Sequence, residues 1–161
     1  METEQNQKLI IKKATEEDVP KIFNLINELA EYEKLKQTVT ADEELLRKNL
    51  FGEKRYAEVI LAEYEGKLAG QALFFYNFST FKGKPGVYLE DLFVRPEFRK
   101  KGIGKALLNY LIELAKSNDC GRVEWVVLYW NKSAIDFYKS LGAEAMQDWI
   151  VFRLSQEKFN E

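Results

Sequence analysis

The chain has 161 residues and no histidine, and only one cysteine, Cys120. Without histidine there is no Ser-His or Cys-His nucleophilic pair, no imidazole metal site and no imidazole acid–base chemistry. One thiol closes no internal disulfide and builds no thiolate zinc cluster, so no metal is expected. Cys120 sits beside Gly121, just past a helical pattern, and reads as a packing residue rather than a nucleophile. Any proton transfer falls to Asp, Glu, Tyr, Lys, the lone Cys or water. No apolar run reaches the roughly 18 residues that a membrane span needs. Met1–Gln7 is polar and lacks the apolar core of a signal peptide. The expectation is a cytoplasmic protein with a loose tail over residues 1–7 and one domain over 8–161.

What is present is globular: 46% hydrophobic and 14% aromatic residues are enough to build one sizeable core. The formal net charge is -2, yet Arg95 to Lys105 gathers five basic residues against one acid, Glu97. Gly102 and Gly104 stand where that basic turn meets an apolar-periodic run, "GKALLNYLIELAK". A helix start presents unpaired N–H groups and the positive end of a dipole, and glycine lets a ligand approach the backbone. Arg99, Lys100, Lys101, Gly102, Ile103, Gly104 and Lys105 therefore compose an anion cradle suited to phosphate. The same residues would equally make a solvated basic turn.

Two common phosphate motifs do not fit. A P-loop has Ser or Thr after Gly-Lys, and here Ala106 follows Gly104-Lys105, with Arg99 at the first glycine position. A dinucleotide fingerprint has a third glycine where this chain has Leu107. A nucleic-acid-binding module fits poorly as well, because the basic residues cluster at one turn while acids pervade the rest.

Periodicity predicts the remaining elements. Lys8–Lys13 reads as a strand. Glu16 to about Glu33 reads as a helix behind Thr15, with Val19, Ile22, Phe23, Ile26, Leu29 and Ala30 on one face. A second helix spans Asp42–Leu50. Tyr56–Glu65 and Lys67–Phe78 flank Gly66 as a hairpin. A loop over Lys82–Gly86 leads to a strand over Val87–Val94 that carries Glu90 and Asp91 and stops at Pro96. Then follow a helix over Ile103–Lys116, a strand over Arg122–Leu128, a helix over Asn131–Leu141 ended by Gly142, and a last strand over Asp148–Leu154. This order describes an α/β chain with a mixed sheet and helices on both faces.

Arg-x-x-Gly-x-Gly after "EDLFVRPEFR" and opening "GKALLNYLIELA" resembles the pyrophosphate motif of the GCN5-related N-acetyltransferases. "NKSAIDFYKSLGA", Asn131 to Ala143, is similar to that family's N-x-x-x-x-x-F-Y-x-x-x-G helix, about thirty residues further on. The resemblance covers Lys8 to Leu154. It implies a single domain whose mostly antiparallel sheet splays at the cofactor site, acetyl-CoA as acetyl donor, and a homodimer. "LINELAEYEKL", "YLEDLFV" and "YWNKSAIDFYKSLGA" look like the diamine (spermidine/spermine) acetyltransferases, whose sisters act on thialysine and related amino acids.

The resemblance assigns roles residue by residue. Tyr138 would give a proton to the leaving thiolate, although Ala134, Phe137, Tyr138 and Leu141 also form an ordinary apolar stripe. Glu90 would face the substrate amine, while Asp91, on the other side of the strand, would make a structural hydrogen bond or one to a residue that touches the substrate; both could instead lie on an exposed edge. Leu92, Phe93 and Val94 would offer backbone groups to the pantetheine arm. Asn131, with Ser133 and Ala134, would touch the cofactor, and Asn131 also reads as a helix cap. Tyr32, Glu33, Glu90, Glu124, Trp125 and Val126 would line an acidic, aromatic pocket for a small cationic amine. Trp149 would pack or floor that pocket. The leading expectation is a polyamine or diamine acetyltransferase. The alternatives are an acetyltransferase for a lysine-like side chain, or a non-catalytic acetyl-CoA-binding regulator.

Overall fold

The structure is a computed structural model that describes residues 8–161. The tail expected over Met1–Gln7 lies outside the described residues. The chain divides into two compact units, one ending at Val126 and the other Val127–Glu161.

In the first unit, strand β1 (Leu9–Lys13) leads into a 3-10 turn, Glu16–Asp18, and helix α1 (Val19–Tyr32). The helix starts later than its periodicity suggests. The Asp18 carboxylate folds back to accept from the Thr15 backbone N–H at 2.9 Å and the Thr15 hydroxyl at 3.3 Å. That tightens the first turn, and Pro20, which has no N–H to lose, sits where helices tolerate it. Helix α2 (Glu43–Phe51) is capped by Asp42, which accepts from Leu45 N–H at 2.8 Å. Then come β2 (Glu58–Tyr64), β3 (Lys67–Ser79), β4 (Lys84–Val94), helix α3 (Ile103–Ser117) and the short β5 (Val123–Glu124). The loop expected over Lys82–Gly86 is shorter, because β4 already begins at Lys84 and pairs with Ser79.

The strands lie in the order β1-β2-β3-β4-β5, antiparallel except for the parallel pair β4-β5. Alternation gives each face its own core. Val59, Leu61, Leu73 and Phe93 face Ile22 and Leu25 of α1 and Leu50 of α2. Ile60, Ala62, Ala72, Phe74, Val87 and Leu89 fall on the opposite parity and are buried, as are Leu107, Leu108 and Leu111 of α3, which packs on β3 and β4. Each fully buried Val, Leu, Ile or Phe among them contributes about 1.5–3 kcal/mol.

The β3-β4 register carries an irregularity that alternation could not foresee. Leu73 pairs with Asp91, but Phe74 pairs with Leu89, so Glu90 is an extra residue in β4. This bulge switches parity. Leu89 lies on the α3 face, and Asp91, two residues on, lies on the α1 face.

β5 pairs only Val87–Val123 and Tyr88–Glu124. From Leu89 to Val94, β4 has no strand neighbour on that side among the described residues. The expected strand over Arg122–Leu128 is therefore a two-residue stub. Its parallel partner is lost where β4 bulges.

In the second unit, α4 (Lys132–Ser140) is followed by Gly142 at φ 88, and α5 (Gln156–Phe159) is short. The last strand expected over Asp148–Leu154 does not form. Trp149, Ile150, Val151, Phe152 and Leu154 are exposed, and Trp149 is not packed. The residues have strand composition, but a strand needs a neighbour for its backbone groups, and the described chain provides none there.

Candidate active site

The open edge of β4 is the first component. Arg95 N–H donates to Ala69 C=O at 2.8 Å, which sets the phase of the antiparallel ladder. By that phase Phe93 and Asp91 bond to β3, while the backbone groups of Leu92 and Val94 turn to the open side. Of the three residues expected to offer backbone groups, Phe93 is thus directed inward, its side chain buried in the α1 core. The Val94 carbonyl already accepts from Arg99 Nε at 3.1 Å. Leu92 keeps its N–H and C=O toward the opening.

The second component is the turn into α3. Lys100 has φ 62 and Gly102 φ 77, two left-handed residues with Lys101 between them, and Gly102 caps the helix. Nothing lies within 4 Å of where a Gly102 Cβ would stand. The first N–H groups of α3, from Ile103, Gly104 and Lys105, have no intrahelical acceptor. Lys100, Lys101 and Lys105 are exposed around them, Lys101 Nζ lying 5.3 Å from the Tyr64 ring. Unpaired N–H groups, exposed lysines and open space at Gly102 suit a pyrophosphate. The Arg99 side chain is engaged elsewhere: its guanidinium lies 4.6 Å from the Tyr32 ring and 5.9 Å from the Phe93 ring. Arg99 thereby ties the glycine turn to the end of α1.

Third is a cluster of acids. Glu90, on the bulge, is exposed. Asp91 is half-buried and, contrary to expectation, its carboxylate makes no hydrogen bond or ion pair among the described residues. Burial, then the charges of Glu90 and Glu33, push its pKa up to about 6. Burial also raises Glu33, at the end of α1. Asp91 is the residue that sequence reasoning underrated. Two adjacent acids in an apolar strand were its signal, but only the bulge turns Asp91 toward Glu33.

The remaining expected residues separate. Glu124 accepts from Asn77 Nδ2 at 3.1 Å and from Arg122 Nε at 2.8 Å, so its charge is matched within the sheet. Trp125 is half-buried and Val126 exposed. In the second unit, Asn131 Oδ1 accepts from Ala134 N–H and from the Ser133 hydroxyl, both at 3.3 Å, and caps α4. Tyr138 is half-buried on α4, with the Phe137 and Tyr138 ring centroids 5.5 Å apart.

A sheet opened beside a bulged, acid-bearing strand, with a glycine-cornered helix start at its end, sets a free strand edge and unpaired backbone N–H groups close together in the chain. The acetyltransferase (GNAT) family matches residues 19–143. The chain is 39% identical over 164 residues to the thialysine N-epsilon-acetyltransferase of Bos taurus, covering 95% of this chain and 96% of that one. It is 32% identical over 190 residues to the L-ornithine N5-acetyltransferase of Arabidopsis thaliana, covering 90% and 83%. Among solved structures, an integron cassette protein from the mobile metagenome of V. cholerae superposes with a TM-score of 0.80 at 28% identity, covering 96% of each chain. The chain belongs to the GNAT acetyltransferase family, and it is an N-acetyltransferase.

Proposed function

We propose that this enzyme moves the acetyl group of acetyl-CoA onto the side-chain amine of a small basic amino acid of the thialysine, lysine or ornithine kind. The observation that carries the proposal is the bulge that places Glu90 at the open β4 edge and turns Asp91 toward Glu33. Such an acidic cluster favours a cationic amine. Relatives named for thialysine and for ornithine, each matched over most of its length, support an amino-acid acceptor. A polyamine is the second reading, favoured by the same acids and by a human spermidine/spermine acetyltransferase-like protein, 30% identical, of which this chain spans 23%.

In this reading residues 8–161 act as one catalytic domain, within a homodimer. Lys100, Gly102 and the first N–H groups of α3 bind the pyrophosphate, and Leu92 holds the pantetheine arm through its backbone. Bound acetyl-CoA supplies the acyl carbon to which the amine nitrogen bonds as the carbon–sulfur bond breaks. An alkylammonium has a pKa of about 10, so the amine must first lose a proton. Glu90 takes it, directly or through water, with Asp91 close by as a second acceptor that is ionised above pH about 6. Tyr138 gives a proton to the departing sulfur.

The deciding experiment compares kcat/KM for thialysine, lysine, ornithine, spermidine and putrescine with acetyl-CoA. The amino acids should lead. Spermidine leading would move the assignment to the polyamine reading, and no turnover of any amine would sink both. Sedimentation velocity tests the dimer.

A further inference from the structure

The lower end of the first unit holds a cavity of about 510 Å³ that the acetyl-transfer site does not use. It opens where β1 ends, α2 ends and β2 begins, and the C-terminal half of α3 closes it through Tyr110 and Leu114. The glycine turn lies at the other end of α3. From Ile103 to Leu114 the helix rises roughly 16 Å. The α1–α2 connection, with Tyr32 beside Arg99, is likewise at that far end.

The cavity's chemistry is two-sided. Leu50, Phe51, Phe74 and Leu114 make an apolar floor. At its lining stand Lys13 and Arg55, both exposed, and among the described residues neither side chain forms an ion pair or hydrogen bond. Other cations of the unit are held in ion pairs, Lys8 with Glu65, Lys12 with Glu63, Arg47 with Glu16 and Lys84 with Asp119, whereas Lys13 and Arg55 are open to an added anion. Glu58, the one acid in the lining, is bonded to neither cation, which leaves the rim net positive. Tyr56 is exposed at the same rim, its ring capped by Lys54 Nζ at 5.1 Å from the centroid.

We propose that this cavity is a second ligand site, for a small carboxylic acid with an aromatic or branched apolar body. The body fills the space over Phe51, Phe74 and Leu114, and the carboxylate lies between Lys13 and Arg55. A cavity of this size with few convergent polar groups is typical of small-molecule sites. Charge-assisted contacts to an otherwise unpaired guanidinium and ammonium give the selectivity for an anion. The site is separate from the donor turn, so occupancy does not compete with acetyl-CoA.

Calorimetry on the full chain tests it, with 4-phenylbutyrate as the probe and 4-phenylbutyramide and butyrate as controls. The phenyl acid should bind with Kd below about 1 mM, and the amide and butyrate at least about tenfold more weakly. The exposed double variant Lys13→Gln/Arg55→Gln should lose affinity for the acid by at least about tenfold while its acetyl-CoA affinity stays unchanged. Saturating acetyl-CoA should leave the phenylbutyrate affinity unaltered. The proposal is overturned by no binding in that range, by equal binding of the amide, by undiminished binding to the double variant, or by displacement with acetyl-CoA.

Discussion

Arg95, at the end of β4, grips Glu28 of α1 with two parallel hydrogen bonds, Nε to Oε2 at 3.0 Å and Nη2 to Oε1 at 2.9 Å. Its third nitrogen, Nη1, donates to Leu68 C=O at 3.1 Å. The fork geometry of a guanidinium permits this and an ammonium does not. The pair fixes the C-terminal half of α1, which carries Tyr32 and Glu33, against the strand that carries Glu90 and Asp91. Arg95→Ala should cost about 1–3 kcal/mol, because it strands a partly buried carboxylate and a carbonyl. Arg95→Lys should recover less than half of that loss. Urea unfolding measures both, and a full recovery by lysine would mean that the bidentate geometry is immaterial.

Asp91 makes stability depend on pH. Its folded pKa, about 6, is above the 3.8 of the free side chain. The folded state therefore binds the proton more tightly, and its contribution is fully present below 3.8 and lost as pH rises through about 6. Asp91→Asn removes that loss. Relative to the parent chain, the variant should gain stability between pH 4 and pH 7, by at most about 3 kcal/mol. Parallel unfolding curves at the two ends of that window give the answer. A stability difference that does not change with pH would mean that Asp91 is not raised.

Gly102 bears on the donor site. At φ 77 a side chain is strained even though space surrounds it. Gly102→Ala should cost about 1 kcal/mol of stability. Gly102→Asp should also weaken acetyl-CoA binding by more than about tenfold, since it places a negative charge at the helix start. Calorimetry that returns parental affinity from a folded Gly102→Asp protein would move the pyrophosphate elsewhere.

Tyr138 and Glu90 should fail differently. Tyr138→Phe removes a hydroxyl that acts as charge builds on sulfur, so kcat should fall by about 100- to 1,000-fold with little change in donor affinity. Glu90→Gln should raise KM for the amine and lower kcat, and part of the rate should return at high pH, where more amine is already neutral. Pre-steady-state rates across pH separate the two. A near-normal chemical step in Tyr138→Phe would leave that side chain as packing.

The helices were the most legible elements. The stripe Ile103, Leu107, Leu111 and the cap at Asn131 are local signals, and local geometry honours them within a residue or two. The glycine turn before α3 was legible as a turn for the same reason. Glycine spacing and basic charge act over a few neighbouring residues, and Gly102 does adopt the left-handed conformation that such a turn uses. Pairing was much less legible. Nothing in "VYLEDLFV" announces that Glu90 is an extra residue, because a bulge exists only relative to β3. Nor does "RVEWVVL" say that its strand stops after Glu124, or that Glu124 is held by Asn77, forty-seven positions earlier.

By itself, then, the sequence determined which side chains the chemistry can draw on: no imidazole, but carboxylates, phenols and two glycines set in a basic turn. It also determined where most helices begin and end, since capping and 3.6-residue periodicity are short-range. Only the tertiary structure decided which acids act together. The one-residue offset between β3 and β4 turns Asp91 to the α1 face, where desolvation and the nearby charges of Glu90 and Glu33 raise its pKa to about 6. The fold likewise brought Lys13 of β1 and Arg55, which precedes β2, to one cavity, forty-two positions apart in the chain. Burial and charge pairing depend on what long-range packing brings within a few ångströms, and no window along the chain contains that distance.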